Sequence, residues 1–237
     1  MKNKILWGVL ILALIYILTK FQKKPTLKKF SGSNINKMDE PTYFFRINKT
    51  GNLINDFISF VQLKEGGLSR HKEDIASAFP SPYTFKDAKG GLYKDWHTNK
   101  GVTYQVFKTL ASKLGYTDNE YNFKNMPNEI WIKIFKNGYY KPYQNLTTSE
   151  LINLYVSLWA WGSGKGGANA LIKKIGTDIQ KMIDDKGEDY TLRFLINERI
   201  KFYERLVKAK PQNEKFLQGW KNGALSFYKN FSTYTKN

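Results

Sequence analysis

Apolar residues at helical spacing run through most of this 237-residue chain and limit what it can fold into. In one segment after another, apolar side chains recur three and four positions apart, while the alternation typical of strands is scarce. These segments are Leu53–Val61, Val106–Leu114, Ile130–Phe135, Leu151–Trp159, Leu192–Leu206 and Phe216–Phe231. The pattern predicts a mainly α domain built from amphipathic helices.

Boundary signals accompany several of these predicted helices. Thr103 is placed to cap a helix N-terminus, and Pro127 stands where a helix begins and Gly138 where it ends. Thr147 and Glu150 have the spacing of a capping box ahead of Leu151. These signals therefore predict where several of the helices begin and end.

The first predicted helix ends in the unusual run Glu65-Gly66-Gly67. Glu65 follows Val61 by four positions and Ile58 by seven, which puts its carboxyl on the apolar stripe. Either glycine can take the positive φ that ends a helix and lets other groups approach the acid. Taken alone, such a glutamate is more often a helix-terminal residue in a salt bridge than a catalytic group.

The charge of the chain is strongly basic. Thirty-eight Lys and Arg oppose 20 Asp and Glu, which gives a formal charge of +18. A surface of this kind attracts polyanions, whether nucleic acid, anionic lipid or the anionic polymers of a bacterial envelope. The chain has no cysteine and only two histidines, so thiolate chemistry and histidine-rich metal clusters are excluded, and we expect neither a cofactor nor a metal.

The N-terminus predicts a membrane anchor followed by a tether. Residues 5–18 are an apolar run with lysines on both sides, and no small-residue cleavage site follows it. We therefore predict an uncleaved signal anchor over residues 1–19, a basic flexible tether over 20–51 and a globular domain over 52–237. The lysines after the run outnumber those before it, which by the positive-inside rule places the domain in the cytoplasm.

Two stretches of the domain contain the residues from which loops are built. Between Glu65 and Thr98 a long polar segment contains Pro80, Pro82 and two adjacent glycines, which predicts a binding loop or the wall of a cleft. Residues 161–167 are rich in glycine, but they lack the spacing of a phosphate-binding loop and follow a helix. Nucleotide binding is not predicted there.

Five motifs occur in an order that resembles a known family. They are Glu65-Gly66-Gly67, then Thr98-Asn99-Lys100-Gly101-Val102-Thr103, then Tyr139-Tyr140-Lys141-Pro142, the Trp161–Ala168 turn, and Arg199-Ile200-Lys201-Phe202-Tyr203 with Phe216-Leu217-Gln218-Gly219-Trp220. Over residues 52–231 the chain is similar to glycoside hydrolase family 108, the bacterial and phage N-acetylmuramidases with a lysozyme-like fold. The family passes from Glu-Gly-Gly to the threonine-asparagine motif through a short Asp-Pro-Gly-Gly segment. In this chain about thirty residues intervene instead. Among them, Asp87–Gly91 is the segment most similar to Asp-Pro-Gly-Gly.

The resemblance implies a lysozyme-like helical domain in which Glu65 is the general acid. Such an acid must hold a proton near neutral pH, which an apolar setting favours. Thr98 and Asn99 are candidates for hydrogen bonds to acetamido groups or to the catalytic water. Tyr139, Tyr140 and Trp161 either stack on sugar rings or pack in the core.

The second carboxylate is left open by the sequence. The acids of the long loop are Glu73, Asp74, Asp87 and Asp95, and no spacing selects among them. Each is more often a solvated loop charge than a catalytic group.

The expected function is that of a peptidoglycan hydrolase that acts on glycan strands, such as a phage or prophage endolysin. Its domain would then be anchored in the inner membrane and face the periplasm or cell wall, in conflict with the lysine count. The alternative is a membrane-tethered peptidoglycan-binding or assembly protein without activity. A cytoplasmic nucleic-acid binder is the third interpretation, but the lysines are scattered through all segments and no specific nucleic-acid motif occurs.

Overall fold

The computed structural model describes residues 40–69, 83–86, 92–95, 98–175 and 178–236, with the backbone alone for 69, 83–86 and 92–95. The predicted anchor, the tether up to residue 39, both histidines and most of the long loop lie outside them. In the described ranges no helix combines the length and the apolarity that a bilayer crossing requires.

Eight α-helices make up most of the described chain, so the mainly α prediction is confirmed. They are α1 (Leu53–Glu65), α2 (Tyr104–Ala111), α3 (Glu120–Lys124), α4 (Asn128–Phe135), α5 (Glu150–Ile175), α6 (Ile179–Lys186), α7 (Glu188–Ala209) and α8 (Glu214–Phe231). Shorter turns of 3₁₀ helix cover Ser112–Leu114, Pro211–Asn213 and Ser232–Tyr234, and a π turn covers Lys136–Tyr140.

Among the described residues between α1 and α2, five short strands form two antiparallel sheets. They are β1 (Leu68–Ser69), β2 (Tyr83–Lys86), β3 (Leu92–Asp95), β4 (Thr98–Asn99) and β5 (Val102–Thr103). The first sheet has the order β1-β4-β5, and β2 pairs with β3 as a separate ladder. The β2–β3 ladder differs from the irregular loop that the sequence predicted, because four-residue strands are too short to give a clear alternation.

The aromatic face of α1 packs at the centre of the helical core. Phe57 and Phe60 are fully buried, and both rings contact Phe227 and Phe231 of α8 at centroid distances of 5.6–6.3 Å. On its other side Phe57 contacts Phe135 of α4 at 5.4 Å. Burying side chains of this size contributes roughly 1.5–3 kcal/mol each, so the packing fixes the position of α1 and of the acid at its end.

The chain before α1 is not a free tether over its whole predicted length. The backbone N–H groups of Thr42, Phe45 and Ile47 donate to side chains of α8 at 3.1, 3.1 and 3.3 Å. Their acceptors, Asn222, Ser226 and Asn230, are buried and spaced one turn apart on the helix. The predicted domain start at residue 52 is therefore about ten residues too late, because these polar groups bind an extended backbone.

Two of the predicted helix boundaries are confirmed, and two others are wrong. Thr103 accepts from the N–H of Val106 as the N-cap of α2, and Pro127 immediately precedes α4. Gly138 does not end α4, because the chain continues into the π turn. At the start of α5, the hydroxyl that accepts from the N–H of Ile152 belongs to Ser149, not Thr147.

A kink divides α5 at Gly164, whose φ of 72° and ψ of 161° are not helical. The buried guanidinium of Arg199 lies beneath the first half of the helix, where its Nη2 donates to the carbonyl of Leu158 at 3.2 Å. The same guanidinium lies 5.4–5.9 Å from the ring centroids of Tyr155, Trp159 and Tyr203. Aromatic faces and a carbonyl near a helix end therefore balance this buried charge.

Candidate active site

The carboxyl of Glu65 lies at the rim of the core, at the last residue of α1. Phe57, Ile58 and Val61 of the predicted stripe are buried, whereas the side chain of Glu65 is 17% exposed. The stripe prediction therefore describes the helix correctly, with the acid at the edge of the buried face. A carboxylate in this position is partly shielded from water and still within reach of a ligand.

The two glycines after Glu65 turn the chain into the small sheet. Gly66 has a φ of 66°, in the region that favours glycine. The carbonyl of Gly67 accepts from the N–H of Lys100 at 3.0 Å, and Leu68 then pairs with Asn99. The Glu-Gly-Gly run thus leads directly to the strand that contains the threonine-asparagine motif.

The carboxyl of Glu65 rests on the turn that joins β4 to β5. A Cβ atom at Gly101 would lie 2.5 Å from Oε2 of Glu65, so any side chain there would collide with the acid. Lys100 and Gly101 have φ values of 49° and 78°, which fits a two-residue hairpin turn. The indole Nε1–H of Trp131 in α4 donates to the carbonyl of Lys100 at 2.8 Å and fixes the turn to the helical core.

Lys64 holds the other oxygen of the acid. Its Nζ lies 2.7 Å from Oε1 of Glu65, and its side chain is 22% exposed. The lysine stem crosses α8 at Gly223, where a Cβ atom would lie only 3.2 Å from Cε. Sequence reasoning missed this contact, because adjacent helical residues do not normally face each other. The helix-terminal salt bridge that we weighed against catalysis is therefore present.

Asn99 supports the structure, and its amide nitrogen is not available to a ligand. The residue is 2% exposed, and its Nδ2 donates to the carbonyls of Phe123 and Lys124 at 2.6 and 3.2 Å. Both hydrogen bonds fix the end of α3 to β4, so a hydrogen bond from Asn99 to an acetamido group or to water, which stays a prediction, would use its Oδ1. Thr98, the other predicted residue, is 9% exposed and pairs with Thr103 across the hairpin.

Trp161 packs in the core, which is one of the two alternatives that the sequence left open for it. It is 8% exposed, and its ring lies 5.2 Å from Trp131, 5.5 Å from Phe135 and 4.9 Å from Tyr139. These four rings form an aromatic cluster behind the β4–β5 turn, to which Trp131 is hydrogen-bonded. The cluster gives the turn a rigid support and leaves no open face on Trp161.

The two predicted tyrosines are half-buried and have different surroundings. Burial raises the pKa of Tyr139, whose ring joins the aromatic cluster. The hydroxyl of Tyr140 lies 3.3 Å from Oε1 of Glu150, and burial together with this carboxylate raises its pKa. Tyr140 therefore remains a candidate for contact with a ligand at the surface. Tyr139 remains a candidate for contact with a ligand through the edge of its ring.

The four candidates for the second carboxylate fall in the long loop. Glu73, Asp74 and Asp87 lie outside the described residues, and Asp95 ends β3 opposite Tyr83, with its side chain outside them. In the part of the chain that the structure describes, no group of three or more His, Asp or Glu could hold a metal ion.

In this arrangement the half-buried carboxylate of Glu65 lies between the ammonium of Lys64 and the turn at Gly101, which has no side chain. Such a group can transfer a proton to or from a bound molecule, or stabilise a positive charge that develops beside it.

Comparison with protein-family models, curated proteins and solved structures finds no match.

Proposed function

We propose that the chain is a peptidoglycan hydrolase of the N-acetylmuramidase type, with Glu65 as its general acid. One observation carries the proposal. The carboxyl of Glu65 rests on Gly101, so the two motifs that most strongly suggest a muramidase form a single site although they are far apart in the sequence. The positive φ of the turn already favours glycine, and the missing side chain also leaves the space that the carboxyl of Glu65 occupies.

Cleavage of the glycosidic bond requires a proton at the leaving oxygen. In the proposed mechanism Oε1 stays on the ammonium of Lys64, and Oε2 carries the proton to the glycosidic oxygen. The partly buried position reduces competition from water, and the aromatic cluster holds the turn in place. The second carboxylate is supplied by the loop between Gly67 and Thr98.

The proposed substrate lies outside the inner membrane, so the domain must reach the periplasm or the cell wall. We propose that residues 1–19 anchor the chain in the inner membrane, as in an enzyme held there until lysis. Alkaline phosphatase fused to the C-terminus is then active in intact cells. Activity of a cytoplasmic reporter in its place would contradict an exported, anchored enzyme.

A second candidate function is that of a peptidoglycan-binding protein without hydrolytic activity. The ion pair between Lys64 and Glu65 favours this candidate, because a salt bridge of this kind fixes the end of a helix without any catalytic role. On this interpretation Glu65 contributes to structure alone.

Zymography on purified sacculi separates the two functions. We expect clearing by the wild-type protein and a loss of about 10²–10⁴-fold in the Glu65→Gln variant, the usual contribution of a general acid. Glu204→Gln is the matched control, since Glu204 is an exposed partner of Lys221 and such surface pairs contribute little. Circular dichroism checks that both variants are folded. Equal clearing by wild type and Glu65→Gln contradicts the role of Glu65, and binding to sacculi without clearing favours the second function.

A further inference from the structure

A group of half-buried apolar side chains lies where α7 and α8 meet. We call residues 201–221 the hairpin tip; it comprises the end of α7, the Pro211–Asn213 turn and the start of α8. Its partly exposed apolar side chains are Phe202, Leu206, Val207, Phe216, Leu217 and Trp220. The Pro211–Asn213 turn packs on α7 and α8. The tip is thus the end of a helical hairpin.

Ring contacts make part of this surface continuous. Phe202 contacts Tyr203 at 6.0 Å, Tyr203 contacts Trp220 at 5.3 Å, and Trp220 stacks on Phe216 at 5.8 Å. Leu206 and Val207 follow Phe202 and Tyr203 by one helical turn, and Leu217 precedes Trp220 by three positions, so they extend the same surface.

The hairpin tip is also basic. It contains six Lys or Arg and two Glu, so its charge is positive like that of the whole chain. One of the glutamates, Glu204, is paired with Lys221 at 2.8 Å. Arg205, Lys208 and Lys210 are exposed beside the apolar residues.

We propose that the hairpin tip docks on the surface of an anionic lipid bilayer. Apolar side chains next to exposed Lys and Arg are the combination by which helices bind such surfaces: the apolar groups enter the interface and the cations contact the headgroups. Trp, here the half-buried Trp220, also favours the boundary between lipid and water. This surface is independent of Glu65 and of the proposed hydrolysis.

Two other occupants fit the surface less well. A glycan strand stacks on aromatic faces and needs polar partners in a cleft, whereas half of the apolar side chains here are aliphatic. A second copy of the chain would bring two basic surfaces together and repel. The apolar run over residues 5–18, predicted to lie in a membrane, also favours lipid as the occupant.

A single fluorescent label on the full chain tests the docking. The chain has no cysteine, so Leu217→Cys gives one attachment point at the tip for an environment-sensitive fluorophore. Lys113→Cys, at an exposed position before α3, is the control label. Both proteins are mixed with phosphatidylcholine vesicles, either pure or containing about one-third phosphatidylglycerol, and co-sedimentation measures total binding in each case.

We expect a blue shift of the label at position 217 with anionic vesicles only, and none at position 113. Neutralising two lysines, in Lys208→Gln with Lys210→Gln, should lower the ratio of docked to free tip about thirty-fold, since each surface lysine contributes roughly a factor of five. Lys136→Gln with Lys141→Gln removes the same charge from exposed positions elsewhere and should leave the ratio unchanged.

Four results would overturn the proposal. Binding to both vesicles without a shift at position 217 would show that the N-terminal segment alone binds the membrane. An equal shift with neutral vesicles would remove the role of charge. A shift without vesicles that grows with protein concentration would indicate a second copy, and a shift with soluble glycan fragments would indicate a sugar.

Discussion

At the scale of single residues, Gly101 carries the closest contact of the proposed site. It has a left-handed φ of 78°, and Oε2 of Glu65 occupies the space of its missing side chain. Gly115, after the Ser112–Leu114 turn, has a similar left-handed φ of 72° but open space where a Cβ would be. Substitutions at these two glycines therefore distinguish the cost of backbone strain from the cost of contact with Glu65.

We predict that Gly101→Ala lowers the free energy of unfolding more than Gly115→Ala does. Strain from a positive φ costs about 1–2 kcal/mol in either variant, and the collision with Glu65 adds about 1–3 kcal/mol at Gly101 alone. Urea denaturation measures both values. An equal cost for the two substitutions would mean that Glu65 does not rest on the turn.

The sequence predicted the place of Glu65 in its helix, but it did not reveal the partners of the other predicted residues. Asn99 and Trp161 are polar and aromatic residues next to glycines, which is typical of binding sites. Their roles depend on groups distant in sequence: the carbonyl of Phe123 for Asn99, and the ring of Trp131 for Trp161. No local pattern contains that information.

At the scale of elements, a buried carboxylate joins the start of α1 to the C-terminal 3₁₀ turn. Asp56 is fully buried and accepts from the N–H and hydroxyl of Thr50 at 2.8 and 2.7 Å and from the hydroxyl of Tyr234. Burial alone would raise the pKa of Asp56, but these hydrogen bonds outweigh it and lower the pKa below the ordinary 3.8. The same bond to Asp56 raises the pKa of Tyr234 to about 12.

These shifts predict how the stabilisation from this contact depends on pH. The lowered pKa of Asp56 contributes stability above pH 3.8, and this is lost as the pH falls through the native value. The raised pKa of Tyr234 contributes stability below pH 10.0, and this is lost as the pH rises towards about 12. We expect Tyr234→Phe to lower the free energy of unfolding by about 1.5–3 kcal/mol between these limits and by less outside them.

Urea denaturation of wild type and Tyr234→Phe across the pH range measures the difference. Tyr121→Phe is the control, because Tyr121 is 73% exposed. A difference between wild type and Tyr234→Phe that stays constant from acid to alkaline pH would contradict the assigned hydrogen bond.

A second close glycine contact lies two residues before the kink in α5. A Cβ atom at Gly162 would lie 2.8 Å from Nη2 of Arg199, which caps the carbonyl of Leu158. We expect Gly162→Ala to cost about 1–3 kcal/mol in the wild type and clearly less in an Arg199→Met background, which leaves more room. Thermal or urea unfolding of the four proteins of this cycle measures the coupling. Additive costs would mean that Arg199 does not require the glycine.

Most helices were predictable from their apolar spacing, because each buries one face. The short strands were harder to predict from the sequence, since β2 and β3 have four residues each and β1, β4 and β5 have two. Their pairing is decided by partners such as Gly67 and Lys100, which lie on opposite sides of the long loop. The N-cap of α5 was misplaced because Ser149, Thr147 and Thr148 are all capping residues, and a propensity scale cannot rank neighbours.

At the scale of the whole molecule, the described residues belong to one unit that begins before α1. The segment before Leu53 is held by Asn222, Ser226 and Asn230 of α8. The sequence placed the domain start later, because an extended segment that binds side chains of a helix has no period of its own. Charge and composition predicted an affinity for anionic partners, but they do not identify which surface binds them.

The central claim is that Glu65 and the Gly101 turn form the site of a muramidase. Digestion of purified sacculi, followed by reduction with borohydride and mass spectrometry of the muropeptides, tests it most directly. We predict that the wild-type protein releases fragments with N-acetylmuramic acid at the reducing end. Their release should fall about 10²–10⁴-fold in Glu65→Gln, while Glu204→Gln behaves as the wild type. Fragments released equally by Glu65→Gln, or fragments with N-acetylglucosamine at the reducing end, would contradict the claim.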